Sequence, residues 1–258
     1  TTFTGVRATH LASPWLGDYG TFTVMPITGE LVVDMKQRAS PFDHDSEVAL
    51  PHYYRTHLKR YDITVEVAPT MRCAAIRFTP GADSLWVLLD AHGNGSTTIS
   101  DSVTVTGVNG WHRGGIVGKF GCYFVARFSR PFDRAMGWVD PSERDRSKAS
   151  GVATRFAASL EAPVDVFIGT SFLSIEQAEE NLRAEIGTRS FDEVRDAARD
   201  VWNRELSRIR ISGATDEQRT VFYTAFYRSL LFPRTWHEPD SAAVKWHYSP
   251  YDGQVHRG

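Results

Sequence analysis

The stretch Thr9-His-Leu-Ala-Ser-Pro-Trp-Leu-Gly-Asp-Tyr-Gly20 brings an indole, an imidazole, a carboxylate and a phenol close together. Its apolar residues neither alternate nor run continuously, so it does not read as a strand. Pro14 disfavours the α region for Ser13, while Gly17 and Gly20 permit positive φ, so the chain turns here more than once. A flat aromatic beside polar groups suits a small polar ligand with one apolar face. A sugar meets that description, because its C–H groups stack on an indole while its hydroxyls take hydrogen bonds. The same residues also fit a Trp that only packs a loop onto a core.

Other groupings carry weaker chemistry. Asp43-His44-Asp45-Ser46-Glu47 offers oxygen and imidazole ligands but lacks the Gly and the spacing of a calcium loop, and reads as a charged surface turn. Trp111-His112-Arg113-Gly114-Gly115 is a turn with a stacking aromatic and a fork donor, which either lines a site or caps a sheet edge. His52, Tyr53 and Tyr54 follow Pro51 and read as the packed start of a strand, and Glu66 faces solvent between Val65 and Val67. There is no Ser/His/Asp order, no phosphate-cradling glycine loop and no zinc spacing. No local feature marks the carboxylate pair that inverting glycoside hydrolysis requires.

These residues need a scaffold, and residues 21–170 read as short strands joined by turns. Thr21–Met25, Glu30–Met35, Ile63–Ala68, Arg72–Phe78, Leu85–Leu89, Ser102–Thr106, Gly121–Phe128, Ala153–Ala158 and Val164–Ile168 have strand composition. Thr-Pro-Gly-Ala-Asp (79–83), His-Gly-Asn-Gly-Ser (92–96) and Gly-Val-Asn-Gly (107–110) are turn chemistry. Leu85–Leu89 is continuously apolar and reads as central, and Arg130–Ser150 as a long surface loop. The series predicts a large antiparallel β-sandwich.

Beyond Phe172 the pattern turns helical. Ser174-Ile-Glu-Gln177, Ser190-Phe-Asp-Glu193 and Thr215-Asp-Glu-Gln218 are three capping boxes, each followed by helical spacing. The expected helices end near Gly187, Arg208 and Phe232. The third is apolar around most of its circumference and needs neighbours on nearly every side. The fold class is therefore mainly β with an α-helical C-terminal segment. Residues 1–172 form the sandwich, lacking its first strands, 173–212 linker helices, and 213–258 the start of a helical domain that continues in the natural protein.

Composition narrows the partners. The 258 residues carry a net charge of −2, with no electrostatic footprint for nucleic acid or an anionic membrane. No apolar run approaches the ~18 residues of a membrane span. The chain opens on Thr1 without a Met or a signal peptide, as a processed or truncated product does. Cys122 shares a strand face with Phe124, Ala126 and Phe128 and reads as a core thiol; spacing leaves its pairing with Cys73 open.

Thr9–Gly20 followed by Val24-Met-Pro26 resembles the N-terminal signature of glycoside hydrolase family 92. Thr215-Asp-Glu-Gln-Arg-Thr-Val-Phe-Tyr-Thr-Ala-Phe-Tyr-Arg-Ser-Leu-Leu-Phe-Pro-Arg234 resembles the first helix of that family's catalytic barrel, and Tyr251-Asp-Gly-Gln-Val-His256 the loop that follows. Residue 11 is Leu where a polar residue is expected. The resemblance implies an exo-acting, inverting, calcium-dependent α-mannosidase built from a β-sandwich and an (α/α)6 barrel. It implies that Trp15 lines the pocket for a terminal mannose, with His10, Asp18 and Tyr19 supporting or contacting it. The catalytic acid, the base and the calcium ligands are then expected after Gly258, so no catalytic residue and no metal ligand is assigned here. The implied partners are a mannose-containing glycan and the rest of the helical domain, and the implied location is secreted or periplasmic. A non-catalytic carbohydrate-binding sandwich is the alternative, since the stretch offers a stacking Trp without an acid/base pair, and a purely structural sandwich is a third reading.

Overall fold

The computed structural model describes residues 2–10, 19–81, 84–112, 118–139, 150–157 and 162–258. Among them the strands are β1 Thr2–Phe3, β2 Val6–Arg7, β3 Thr23–Ile27, β4 Ser40–Pro41, β5 Val48–Leu50, β6 Tyr53–Leu58, β7 Ile63–Pro69, β8 Cys73–Pro80 and β9 Ser84–Asp90. They continue as β10 Gly95–Ile99, β11 Thr104–Asn109, β12 Cys122–Phe128, β13 Arg134–Trp138, β14 Gly151–Ala157 and β15 Val164–Ser171. Helices α1 Ile175–Glu185, α2 Phe191–Leu206 and α3 Asp216–Ser229 follow, then strands β16 Glu238–Pro239, β17 Lys245–Tyr248 and β18 Val255–Arg257.

Two antiparallel sheets make the sandwich. The larger runs β10-β11-β12-β15-β8-β7-β6-β5 and the smaller β13-β14-β9-β3-β2, so the continuously apolar β9 is indeed central to its sheet. Phe22, Val24, Ile27, Ile63, Phe78, Leu85, Leu88, Phe124, Phe156 and Val166 are buried in one contiguous core that the two sheets build. Each such side chain removed from water contributes about 1.5–3 kcal/mol before the entropy of ordering it is counted.

The larger sheet is covered on its other face as well. Alternate residues Ala68, Cys73, Ala75 and Val125 pack against Ala178, Leu182 and Ile186 of the α1 segment and Phe191 and Val194 of α2. Closure of α1 on β15 depends on Gly169, where a Cβ would lie 2.3 Å from the Ala178 carbonyl oxygen and 2.7 Å from Leu182 Cβ. Cys73 and Cys122 are both buried, and no disulfide joins them.

The helix starts follow their sequence signals. Ser190 and Thr215 form complete capping boxes with Glu193 and Gln218. At Ser174 the box is half made: its hydroxyl accepts from Gln177 N, but the Gln177 side chain turns to Asn181 and the Pro239 carbonyl instead. α3 ends at Ser229, short of Phe232, and has no buried residue. It touches α2 through the Trp202 and Tyr227 rings, 5.0 Å apart, while Val221 and Phe232 stay exposed.

Three expectations are corrected. Gly-Val-Asn-Gly (107–110), read as a turn, instead runs on from β11, whose Gly107, Val108 and Asn109 pair with both β10 and β12; the glycine there makes room for the Phe124 ring and does not turn the chain. Glu30–Met35 is not a strand. Asp34 Oδ1 accepts from the backbone of Lys36 and Gln37, which curls the chain into a turn and sends Arg38 into the interior. Within Arg130–Ser150, Arg134–Trp138 is a strand paired with β14, and residues 140–149 lie outside those described. Its Arg and Gly content hides an edge strand, whose outer side needs no apolar face.

The joint between sheet and helices centres on Arg77. Its guanidinium makes a bidentate pair with Asp165 at 2.7 and 2.9 Å, bonds Asp192 of α2 at 3.0 Å, and lies over the Phe191 ring. Arg77→Ala leaves Asp165 without its counter-ion, while Asp192 keeps Arg195 at 2.8 Å. It should lower stability to urea by about 2 kcal/mol, the cost of breaking a buried pair discounted for partial exposure. Arg77→Lys should recover less than half of that, because an ammonium cannot reproduce the fork. Thr215→Ala should cost α3 about 1 kcal/mol, read as faster amide exchange confined to that helix.

Candidate functional site

The Thr9–Gly20 stretch is described only at its ends: Trp15 and Asp18 lie outside the described residues, and His10 and Tyr19 within them. Those two are brought together. His10 Nδ1 lies 2.7 Å from the Tyr19 carbonyl oxygen, and the two rings stack with centroids 5.2 Å apart. A carbonyl only accepts, so Nδ1 carries the proton, and in the neutral ring Nε2 is left as an acceptor facing Cys122 Sγ at 3.9 Å. The two ends of the stretch therefore close on each other across β12.

Gly20 sets the exit. Its φ is +59°, and a Cβ there would meet Cys122 Cβ at 2.6 Å, so only glycine lets the chain turn this close to β12. Its N–H donates to the Trp111 carbonyl oxygen at 2.8 Å, which ties the stretch to the second turn that the sequence marks as aromatic.

Around the closed ends lies an aromatic cluster. Tyr19 contacts Phe120, Phe172 and Trp236 with ring centroids 5.8–5.9 Å apart. Phe172 stacks on Trp236 at 4.8 Å and on Phe120 at 5.6 Å, and His10 meets the Phe172 edge at 4.9 Å. Phe120 also touches Tyr248 and His112. Sequence reading missed Phe120, Phe172, Trp236 and Tyr248 as members of the site. The signal was present in the aromatic density of 236–251, but no periodicity shows where a tail returns to.

The tail is the C-terminal sheet β16-β17-β18, and it is bound to the sandwich by specific hydrogen bonds. Arg234 donates to the Thr9 carbonyl at 2.6 Å and Arg72 to the His237 carbonyl at 2.8 Å. Glu238, only 3% exposed, accepts from Phe172 N and from Asn181 Nδ2, both at 2.7 Å. Trp236 Nε1 donates to the Tyr248 carbonyl, which fixes the indole that stacks on Phe172. Within the tail, Asp240 accepts from the Trp246 indole and from Ala242 and Val244 backbone N–H groups. The indole bond first, then the backbone donors, holds the Asp240 carboxyl below its ordinary range.

A metal does not fit the residues found here. Among the described residues no group of three or more His, Cys, Asp or Glu is placed to hold an ion. In the 43–47 turn the oxygens are committed: Asp43 to Asp45 N and Lys59, Glu47 to the Tyr54 hydroxyl and His44. Glu66 likewise accepts from the Tyr53 hydroxyl at 2.5 Å, and burial followed by that bond pushes the Tyr53 phenol up to about 12. The arrangement is a rigid stacking surface with hydrogen bonds already satisfied. Such a surface can orient a ligand, and among the described residues of the cluster there is no acid/base couple.

Glu238→Gln replaces one of two accepting oxygens with an amide that meets a donor. It should cost about 1–3 kcal/mol in urea unfolding and shift the emission of Trp236 toward the solvent-exposed value. An unchanged midpoint would show that the tail is held by its ring contacts alone.

The chain matches the glycosyl hydrolase family 92 N-terminal domain over residues 1–171 and the glycosyl hydrolase family 92 catalytic domain over residues 177–258. Among solved structures, the family GH92 inverting mannosidase BT2199 of Bacteroides thetaiotaomicron superposes on 100% of this chain with a TM-score of 0.92 and 33% identity, this chain covering 36% of that one. The GH92 α-mannosidase BT3965 of the same organism shares the fold at TM-score 0.77 and 23% identity over 92% of this chain and 34% of its own. The GH92 hydrolase ccman5 does so at TM-score 0.71 and 24% identity over 93% of this chain and 35% of its own. This chain thus spans about a third of the length of these relatives. A search of curated proteins returned no match. With its sandwich and its helical segment each matched by a domain of one family, the chain belongs to glycoside hydrolase family 92.

Proposed function

We propose that these residues are part of an exo-acting, inverting α-mannosidase, in which the Thr9–Gly20 stretch and the aromatic cluster form one wall of the active site. The observation that carries the reading is the closure of His10 on Tyr19 within a cluster that the tail completes. That closure supports the reading because it fixes the two described ends, His10 and Tyr19, between which Trp15 and Asp18 lie in the sequence. The support for mannose comes from BT2199, an inverting mannosidase that shares the fold along the entire chain.

In this proposal the wall acts by orientation. A terminal mannose stacks its C–H face on Trp15, Asp18 accepts from its hydroxyls, and His10 and Tyr19 hold the loop in place. Inversion needs a general acid at the glycosidic oxygen and a carboxylate that activates water on the opposite face, roughly 6.5–9.5 Å away. Both come, on this reading, from the helical catalytic domain beyond residue 258, where α3 also finds the neighbours its open face lacks. Calcium belongs to the proposal as a requirement of the complete enzyme, with its ligands in that same domain. The enzyme works on glycans outside the cytoplasm.

The test is mannose release from an α-mannoside by the natural protein, with the product anomer followed by NMR. The expected result is β-mannose as first product, abolished by a chelator and restored by calcium, with Trp15→Ala lowering kcat/KM at least about tenfold. α-Mannose as first product would overturn inversion, and full activity in chelator would overturn calcium dependence. Sugar binding without hydrolysis would favour the binding-module reading, which the lack of an acid/base couple in the described cluster recommends as second.

A further inference from the structure

Arg72 lies in the tight turn between β7 and β8, and its hydrogen bonds reach three other segments. Its carbonyl accepts from the N–H and the hydroxyl of Thr170, at 3.1 and 2.7 Å, which ties the turn to the end of β15. Its N–H donates to Glu185 Oε2 at 2.9 Å and its Nη1 to Glu185 Oε1 at 3.2 Å, which ties it to the last residue of α1. Its Nη2 donates to the His237 carbonyl at 2.8 Å, at the start of the tail. The Arg72 and Glu185 side chains are 15% and 18% exposed, so the pair escapes most of the screening that weakens surface ion pairs.

Glu185 does not serve its own helix. It ends α1, where the helix presents its negative pole and favours a cation over a carboxylate. The turn holds it there against that field, with Thr70 Oγ1 adding a third donor at 2.5 Å. What the carboxylate does in return is aim the guanidinium. With Nη1 on Glu185, the planar fork turns Nη2 toward the tail, and a fork fixed at one nitrogen is fixed at the next.

The carbonyl that Arg72 holds lies between two residues of the wall. Trp236, one residue before it, stacks on Phe172 and contacts Tyr19. Glu238, one residue after it, is buried and bonded to Phe172 N and Asn181. The peptide unit joining His237 to Glu238 is planar, so a bond to its carbonyl fixes the direction of the whole unit beside Trp236.

We infer that Arg72, aimed by Glu185, is a positioning residue of the aromatic wall: it sets where the Trp236 indole sits and, through that indole, how tightly the wall holds a sugar. The effect on the sugar, though not the setting of the indole, rests on the mannosidase reading.

The test follows the intact natural protein, labelled with 15N at its indoles, with the Trp236 signal assigned by its loss in Trp236→Phe. Arg72→Gln is expected to move that signal and to raise KM for an α-mannoside about tenfold with kcat within about twofold, the pattern of lost uniform binding. Arg72→Lys keeps one donor for the carbonyl without the fork, and should bring KM back to within about threefold of the wild type. Glu185→Gln should move the signal less than Arg72→Gln does, because the guanidinium keeps its donors and loses its aim. Arg77→Ala is the control: its partners lie in the sheet and in α2, so it should lower stability and leave the Trp236 signal and KM in place. A Trp236 signal unmoved in Arg72→Gln overturns the inference, as does an equal shift in Arg77→Ala. Where Arg72→Gln does not fold, Arg72→Lys decides on the same signal. An unchanged KM beside a moved signal overturns the effect on the sugar. Failure of the mannosidase reading looks different: the wild type and every variant release no mannose, while a Trp236 signal moved by Arg72→Gln still sustains the setting of the indole.

Discussion

Burying a carboxylate is costly unless hydrogen-bond donors replace its water, and Glu238 is a buried carboxylate on which the site depends. Its two oxygens accept from the backbone of Phe172, just past the last sandwich strand, and from Asn181 in the first helix. Sandwich, helix and tail therefore meet at one anion. The N–H of Phe172 cannot reach Glu238 without fixing where its ring goes, and that ring stacks on Trp236, Phe120 and the edge of His10. The position of the loop ends is thus inherited from a hydrogen bond made outside the loop. The cluster is locked by contacts made within the chain itself, which is the pre-organisation that the proposed role as a ligand wall requires.

The same logic extends through the larger sheet. Its strands bury residues on both faces, so the first two helices belong to the sandwich energetically even though the composition changes at Phe172. Gly169 permits the close approach of helix to strand, and Arg77 pins the start of the next helix to the sheet. The third helix differs in kind. With none of its residues buried, it draws its stability from its capping box and a few contacts with the second helix, and its apolar side chains point to a partner surface.

What the sequence made legible was what is local. Alternation gave most strands of the sandwich, continuous hydrophobicity placed Leu85–Leu89 at the centre of its sheet, and capping residues located all three helix starts. Glu30–Met35 misled because its Val and Leu content has strand propensity, whereas Asp34, directly after Val33, accepts from the Lys36 and Gln37 backbone and sets a turn. His10 and Tyr19 could be singled out from the sequence and the structure brings them into contact, yet their aromatic neighbours could not. Phe120 and Trp236 lie far from them in the chain, and only the topology brings them into contact. Glu238 was invisible for a further reason: in a polar tail a glutamate reads as solvated, and burial is a property of the neighbours it meets.

The chemical character of the wall follows from how its polar groups are used. His10, Glu238 and Asp240 already have hydrogen-bond partners, and the Asp240 carboxyl is held ionised below its ordinary range by the Trp246 indole. General acid catalysis needs the opposite, a group whose proton is available near the working pH and whose geometry is left open to substrate. What the described residues leave open includes aromatic surface such as the Trp111 indole, a kind of surface that suits the proposed stacking role and transfers no proton. Under the proposed function this spending of hydrogen bonds on rigidity suits a wall that orients a glycan, with the groups that cleave it supplied by other residues.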